Sequence, residues 1–106
     1  SKDAQTMRLE GEGRAPVTMV WSPQRGEVAL VGESLRPVDD SSVYELWAVH
    51  DGTPAKVALF EPNPDGSIRE RFPADLSGVE VLGVTIEPRG GSETPSGDMV
   101  LSYGVS

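Results

Sequence analysis

Apolar and polar positions alternate along this chain in short runs, and Gly or Pro interrupts every run before a helix of ordinary length could form. Residues 6–10 place Met7 and Leu9 on one side, and residues 16–21 set Val17, Met19 and Trp21 against Thr18 and Val20. Residues 27–31 are apolar on both sides, as in a strand between two covered faces. In residues 43–50, VYELWAVH, Tyr44, Leu46 and Ala48 point one way and Glu45, Trp47 and Val49 the other. Large apolar groups in both registers require two covered faces, or a groove. Four further runs follow at 56–61, 67–72, 79–87 and 98–103. Ile68 and Phe72 oppose Arg69 and Arg71, Leu82, Val84 and Ile86 share one face, and Met99, Leu101 and Tyr103 close the series.

Eight such segments, with turn residues about every 8 to 12 positions, predict an all-β domain, an antiparallel β-sandwich of about eight strands. Residues 62–66, PNPDG, predict a tight hairpin with Asp65-Gly66 at its tip. Residues 37–42 and 73–77 have room for a single helical turn each. Phe60 and Phe72 are expected in the core. The chain shows neither an internal repeat nor a low-complexity tract.

A length of 106 residues fits one domain, with a core large enough to do without staples. Acidic residues outnumber basic ones 17 to 9, a formal charge of −8, and the cations are scattered. Phosphate binding needs clustered Lys and Arg, so nucleic acid is not an expected partner; an anionic lipid surface is disfavoured for the same reason. No apolar run reaches the roughly 18 to 20 residues that span a bilayer, and the N-terminal residues do not read as a signal peptide. The chain starts on Ser1 without Met, as an excised piece of a longer protein would.

Candidate chemistry is sparse. Absence of Cys removes disulfides, thiolate metal sites and thiol nucleophiles. The one imidazole, His50, sits beside Asp51-Gly52 and reads as a turn residue. Gly90-Gly-Ser92-Glu-Thr94 fails the nucleophile-elbow pattern at its last position. Zinc and copper sites need His and Cys sets that are missing. Residues 61–66 echo a calcium loop, but Glu61 stands where Asp should, and Phe72 where the bidentate Glu should. Asp39-Asp40 reads as a solvated turn. Glu10 with Glu12, or Glu87 with Glu93, can be drawn as acid/base couples, yet nothing in the sequence separates their pKa values. Residues 11–16 lack the third Gly and the helix that a dinucleotide fingerprint requires. The expectation is no enzyme activity, no cofactor and no metal.

Three segments carry a resemblance. Val20-Trp-Ser-Pro23 precedes a short strand, Leu35 precedes Val43-Tyr44-Glu-Leu46-Trp47, and then comes Val84-Thr85-Ile-Glu87-Pro88-Arg-Gly90-Gly91-Ser92-Glu-Thr-Pro95-Ser-Gly97. In this order, with Ala58-Leu-Phe60 and Pro64-Asp-Gly66 between, the chain from about Met7 to Gly104 closely resembles the C-terminal extracytoplasmic domain of the anti-sigma-K factor (RskA-like) family. The resemblance implies a whole protein built from a cytoplasmic sigma-binding domain, one membrane-spanning helix and this module outside the membrane. That protein holds a sigma factor inactive until regulated proteolysis cuts it, first outside the membrane and then within it. Residues 1–6 would then be an N-terminal stalk or remnant, and 7–104 a non-catalytic extracytoplasmic regulatory domain. Its partners in the full-length protein would be the sigma factor, bound by the absent cytoplasmic part, and an extracytoplasmic protease. Tyr44, Leu46, Trp47, Thr85, Glu87, Pro88, Gly90, Gly91, Ser92, Pro95 and Gly97 are the signature positions, read as architecture first and partner surface second. Glu87 and Ser92 are expected to hydrogen-bond the loop's own backbone. The competing reading is a carbohydrate- or peptide-binding sandwich with Trp47 and the 88–97 loop as its site.

Overall fold

A computed structural model describes residues 2–104. Its eight strands are β1 (Gln5–Gly11), β2 (Arg14–Ser22), β3 (Glu27–Gly32), β4 (Ser42–His50), β5 (Thr53–Phe60), β6 (Ile68–Pro73), β7 (Val81–Pro88) and β8 (Leu101–Tyr103). All pair antiparallel, in the order β5-β4-β7-β8-β1-β2-β3-β6. The predicted fold class holds, and each predicted strand is present within a few residues. β1 starts at Gln5, inside the segment assigned to a stalk.

Two four-stranded layers face each other, β1-β2-β3-β6 and β5-β4-β7-β8. They are joined through one residue pair, Glu10 with Ser102. β5 and β6 are the two ends of this nearly closed sheet and do not pair with one another. Between the layers lie Leu9, Val17, Met19, Val28 and Leu30 from the first, and Tyr44, Leu46, Phe60, Leu82, Val84 and Leu101 from the second. Period-two alternation explains the selection: each is the inward member of its strand. Phe60 is buried as expected and stacks on Tyr44, ring centroids 5.4 Å apart, while Phe72 is half-buried.

Three expectations need correction. Residues 62–66 do make a turn, with the Asn63 N–H on the Ser67 carbonyl at 2.8 Å, but it passes the chain from one layer to the other rather than closing a hairpin. A tight two-residue hairpin does close β4–β5, where Asp51 (φ 51°) and Gly52 (φ 76°) supply the two left-handed positions that match strand twist. Residues 37–42 and 73–77 hold no helical turn. In each, a carboxylate ties the chain two residues ahead (Asp39 to Ser41, Asp75 to Ser77), so side-chain turns replace helical ones.

Candidate functional site

The sequence makes β4 apolar in both registers, and the structure shows what covers the second face. Val43, Tyr44, Glu45, Leu46, Trp47 and Ala48 are all buried. Tyr44, Leu46 and Ala48 enter the core between the layers, whereas Glu45 and Trp47 point to the opposite face. Beside them on β7, Gly83, Thr85 and Glu87 share that outer face, in register with Trp47, Glu45 and Val43. Residues 89–100, between β7 and β8, cross it as a strap.

The strap is fastened at four places. At its start, Arg89 donates from its backbone N–H to the Ser41 carbonyl (2.8 Å) and from Nε to the Asp40 carbonyl (2.6 Å), and its guanidinium pairs with Glu61. Next, the Ser92 N–H donates to Glu45 Oε1 (2.9 Å) while its hydroxyl donates to Glu87 Oε1 (2.7 Å). Ser96 adds its N–H, 3.0 Å from Glu87 Oε2, and its hydroxyl on Oε1. Finally Met99 lies across Gly83, so close that a Cβ there would stand 2.4 Å from its sulfur, and the Val100 N–H closes on the Val84 carbonyl at 2.8 Å. The exposed Lys56–Glu93 pair (2.8 Å) adds little, because water screens it.

Beneath the strap runs a hydrogen-bond relay. The Trp47 indole N–H donates to Thr85 Oγ1 (2.8 Å), and the Thr85 hydroxyl donates to Glu87 Oε2 (2.6 Å). Glu87 is 1% exposed and accepts from Thr85, Ser92 and Ser96. Burial pushes its carboxyl up, but the hydrogen bonds from Ser96, Thr85 and Ser92 outweigh burial and hold its pKa at about 2. Such a group is a weak base with its lone pairs occupied, and the hydroxyls around it are spent as donors. The arrangement fastens a loop. It does not arm a nucleophile.

The folded-state pKa of Glu87 lies below the ordinary carboxyl value, so its contribution to stability is complete above about pH 4.5 and is lost as pH falls toward 2. Thermal midpoints measured between pH 6 and about 2.5 should therefore fall more steeply for the native chain than for Glu87→Gln.

The structure brings nearly every signature position to this one place. Trp47, Thr85, Glu87, Gly91 and Ser92 touch in the relay and strap. Tyr44 and Leu46 support it from the core side, Pro88 ends β7, and Gly97 lies against the Ile86 carbonyl. Glu87 does bond the loop's backbone, at the Ser96 N–H, but the Ser92 hydroxyl goes to the Glu87 carboxylate instead, because that buried charge is the stronger acceptor. Among the contributors missed are Glu45, Arg89, Ser96 and Met99. The signal for Glu45 lay in its register with Trp47, since whatever buries one buries the other. Neither proposed acid/base couple forms: Glu93 pairs with Lys56, and Glu10 with Arg8. Trp47 is fully buried and offers no ring to a ligand, which removes the platform of the sugar- or peptide-binding reading.

His50 lies at the other end of β4, its Nδ1 against the Gly78 carbonyl and its Nε2 3.4 Å from Asp51 Oδ2. Glu80 joins them, with ligand-type atoms of all three within 4.8 Å of one another. Every member is exposed, so it reads as a solvated turn.

Fold and site together define a class: a small all-β module whose most distinctive residues secure a loop over one sheet. The chain matches the model of the family described as anti-sigma-K factor RskA, C-terminal, over residues 2–99, and it belongs to that family. It is 30% identical over 99 residues to an uncharacterized protein in the phr 5′ region of Streptomyces griseus, covering 92% of this chain and 41% of that protein. It is 27% identical to the anti-sigma-K factor RskA of Mycobacterium sp. strain KMS, covering 89% of this chain and 39% of that protein. To RskA of Mycolicibacterium vanbaalenii it is 30% identical, covering 89% and 40%. The chain thus spans about two fifths of these relatives. No solved structure gives a significant match.

Proposed function

We propose that residues 7–104 are the non-catalytic extracytoplasmic domain of a single-pass membrane anti-sigma factor, with residues 1–6 leading toward the membrane. In this reading the module governs how readily an external protease cuts the adjoining segment, and hence when the sigma factor held by the cytoplasmic part is released. Family membership carries the proposal, together with the RskA name of relatives that extend well beyond this region. The site agrees with it, because its buried carboxylate and hydroxyls are engaged in holding the strap. Tyr44, Leu46, Trp47 and the 85–97 signature act here as the architecture that keeps the module closed.

The test uses the full-length protein in its own cell. Deleting the module, or loosening the strap with Gly91→Ala, should change both the rate of external cleavage and transcription from a sigma-dependent reporter. Unchanged cleavage with unchanged reporter output in the deletion would defeat the reading.

A further inference from the structure

The outer face of the second layer lies beneath the strap, whereas that of the first, β1-β2-β3-β6, is open to solvent. Cross-strand register orders its side chains in rows, since residues opposite one another share a face. One row runs Arg8–Thr18–Val31–Arg69, and the next runs Thr6–Val20–Ala29–Arg71. Thr18, Val20, Ala29 and Val31 are half-buried, while Arg8, Arg69 and Arg71 stand exposed at the two margins. A depression of about 360 Å³ lies in the first row, where Thr18 and Val31 line it together with Pro16, Gly32 and Glu33.

Cations that are scattered in the sequence are thus gathered on one face of a chain that carries −8. Arg8 pairs with Glu10 at 3.1 Å, an exposed contact that water screens. Arg69 and Arg71 have no carboxylate partner among the described residues. They sit two positions apart on one side of β6, about 7 Å along the strand, so each repels the other. Of the carboxylates nearby, Glu27 pairs with Arg25, and Glu33 lines the depression. A continuous polyanion would meet Glu10, Glu27 and Glu33 as well as the guanidiniums, and it would leave Val20, Ala29 and Val31 uncovered. Separated carboxylates with an apolar side chain between them fit both the charges and the apolar centre.

Spacing narrows the partner further. Arg8 and Arg69 end a row three strand spacings wide, about 14 Å at ~4.8 Å each. An extended peptide rises ~3.4 Å per residue and points alternate side chains the same way, so carboxylates at i and i+4 also stand about 14 Å apart. The side chain at i+2 is then centred between them. We propose that this face docks an extended acidic segment of another protein, patterned acidic–x–apolar–x–acidic and laid across the strands. Its carboxylates pair with Arg8 and Arg69, Arg71 adds charge beside the second, and its apolar side chain enters the depression over Thr18 and Val31. The face belongs to the layer opposite the strap, and the inference does not rest on the regulatory reading.

The probe is the peptide acetyl-ETLTE-amide, titrated at low salt into the ¹⁵N-labelled chain. The Val31 and Arg69 amides should shift saturably, with half-saturation at about 1–5 mM, while the Trp47 indole and the Ser92 amide stay in place. Salt at about 0.5 M should weaken binding, because the pairs are exposed and screened. Arg8→Gln and Arg69→Gln, surface changes that leave the core untouched, should each weaken it roughly two- to fivefold. Val31→Asp should abolish it, with an unshifted Trp47 indole showing that the fold is intact. The proposal is overturned if the peptide at about 20 mM moves neither amide, if both Arg variants bind as well as the native chain, or if acetyl-ETSTE-amide or acetyl-KTLTK-amide binds as well as the probe. It is overturned too if polyphosphate, at equal concentration of charge, shifts the same amides as strongly, since the face would then be a general anion surface.

Discussion

Glu87→Gln should lower the unfolding free energy by about 3 kcal/mol, because hydrogen bonds to a buried charge are worth roughly 1.5–3 kcal/mol each. The native carboxylate offers two oxygens to donors from Thr85, Ser92 and Ser96. An amide of the same shape has one acceptor and turns an N–H₂ toward the remaining donors. Against the roughly 5–15 kcal/mol that keeps an ordinary domain folded, such a loss is severe. Denaturant unfolding measures it, and amide exchange at Ser92 and Ser96 locates it. A loss under about 1 kcal/mol with both amides still protected would mean that Glu87 does not hold the strap.

Gly91→Ala should cost about as much, for a different reason. Gly91 has φ 82°, and a Cβ there would lie 2.7 Å from Leu59 Cδ2 and 3.2 Å from Glu45 Oε1. A left-handed non-glycine residue costs about 1–3 kcal/mol, and overpacking adds about 1 kcal/mol, the low end of its range, because Leu59 Cδ2 is the free end of a half-buried side chain, for a total near 3 kcal/mol. Gly90 provides the control: its φ is 95°, but a Cβ there would meet nothing within 4 Å. Gly90→Ala should therefore lose only the strain, about 1–2 kcal/mol. Equal losses at the two positions would show that crowding beneath Gly91 contributes nothing.

The fold was legible because alternation and breakers are local signals, and each strand of this sandwich carries its own. β8 shows where such signals stop. The run 98–103 alternates throughout, yet the strand begins only at Leu101, because Met99 is drawn across Gly83 by the strap. The 62–66 turn was legible as a turn but not in what it joins, since PNPDG says nothing about which layer receives the next strand. At the site, Trp47 announced a second covered face through its register alone. The network under the strap was hidden, because Ser92 and Ser96 meet Glu45 and Glu87 only when the loop folds back across two strands.

Among the described residues no strand pairs with the outer edges of β5 and β6, and an exposed edge of that kind recruits further strands. Each is blunted. β5 opens with Thr53-Pro54, a residue without an N–H to offer, and carries Lys56, while β6 turns Glu70 toward the interior and ends on Pro73. Burial pushes the Glu70 carboxyl up and the nearby Glu61 charge adds to it, so docking a neighbouring chain over this position would desolvate a group already reluctant to ionise. Packed densely, molecules of this protein should stay separate rather than polymerise edge to edge, and acidification, by neutralising Glu70, is the condition that weakens that protection.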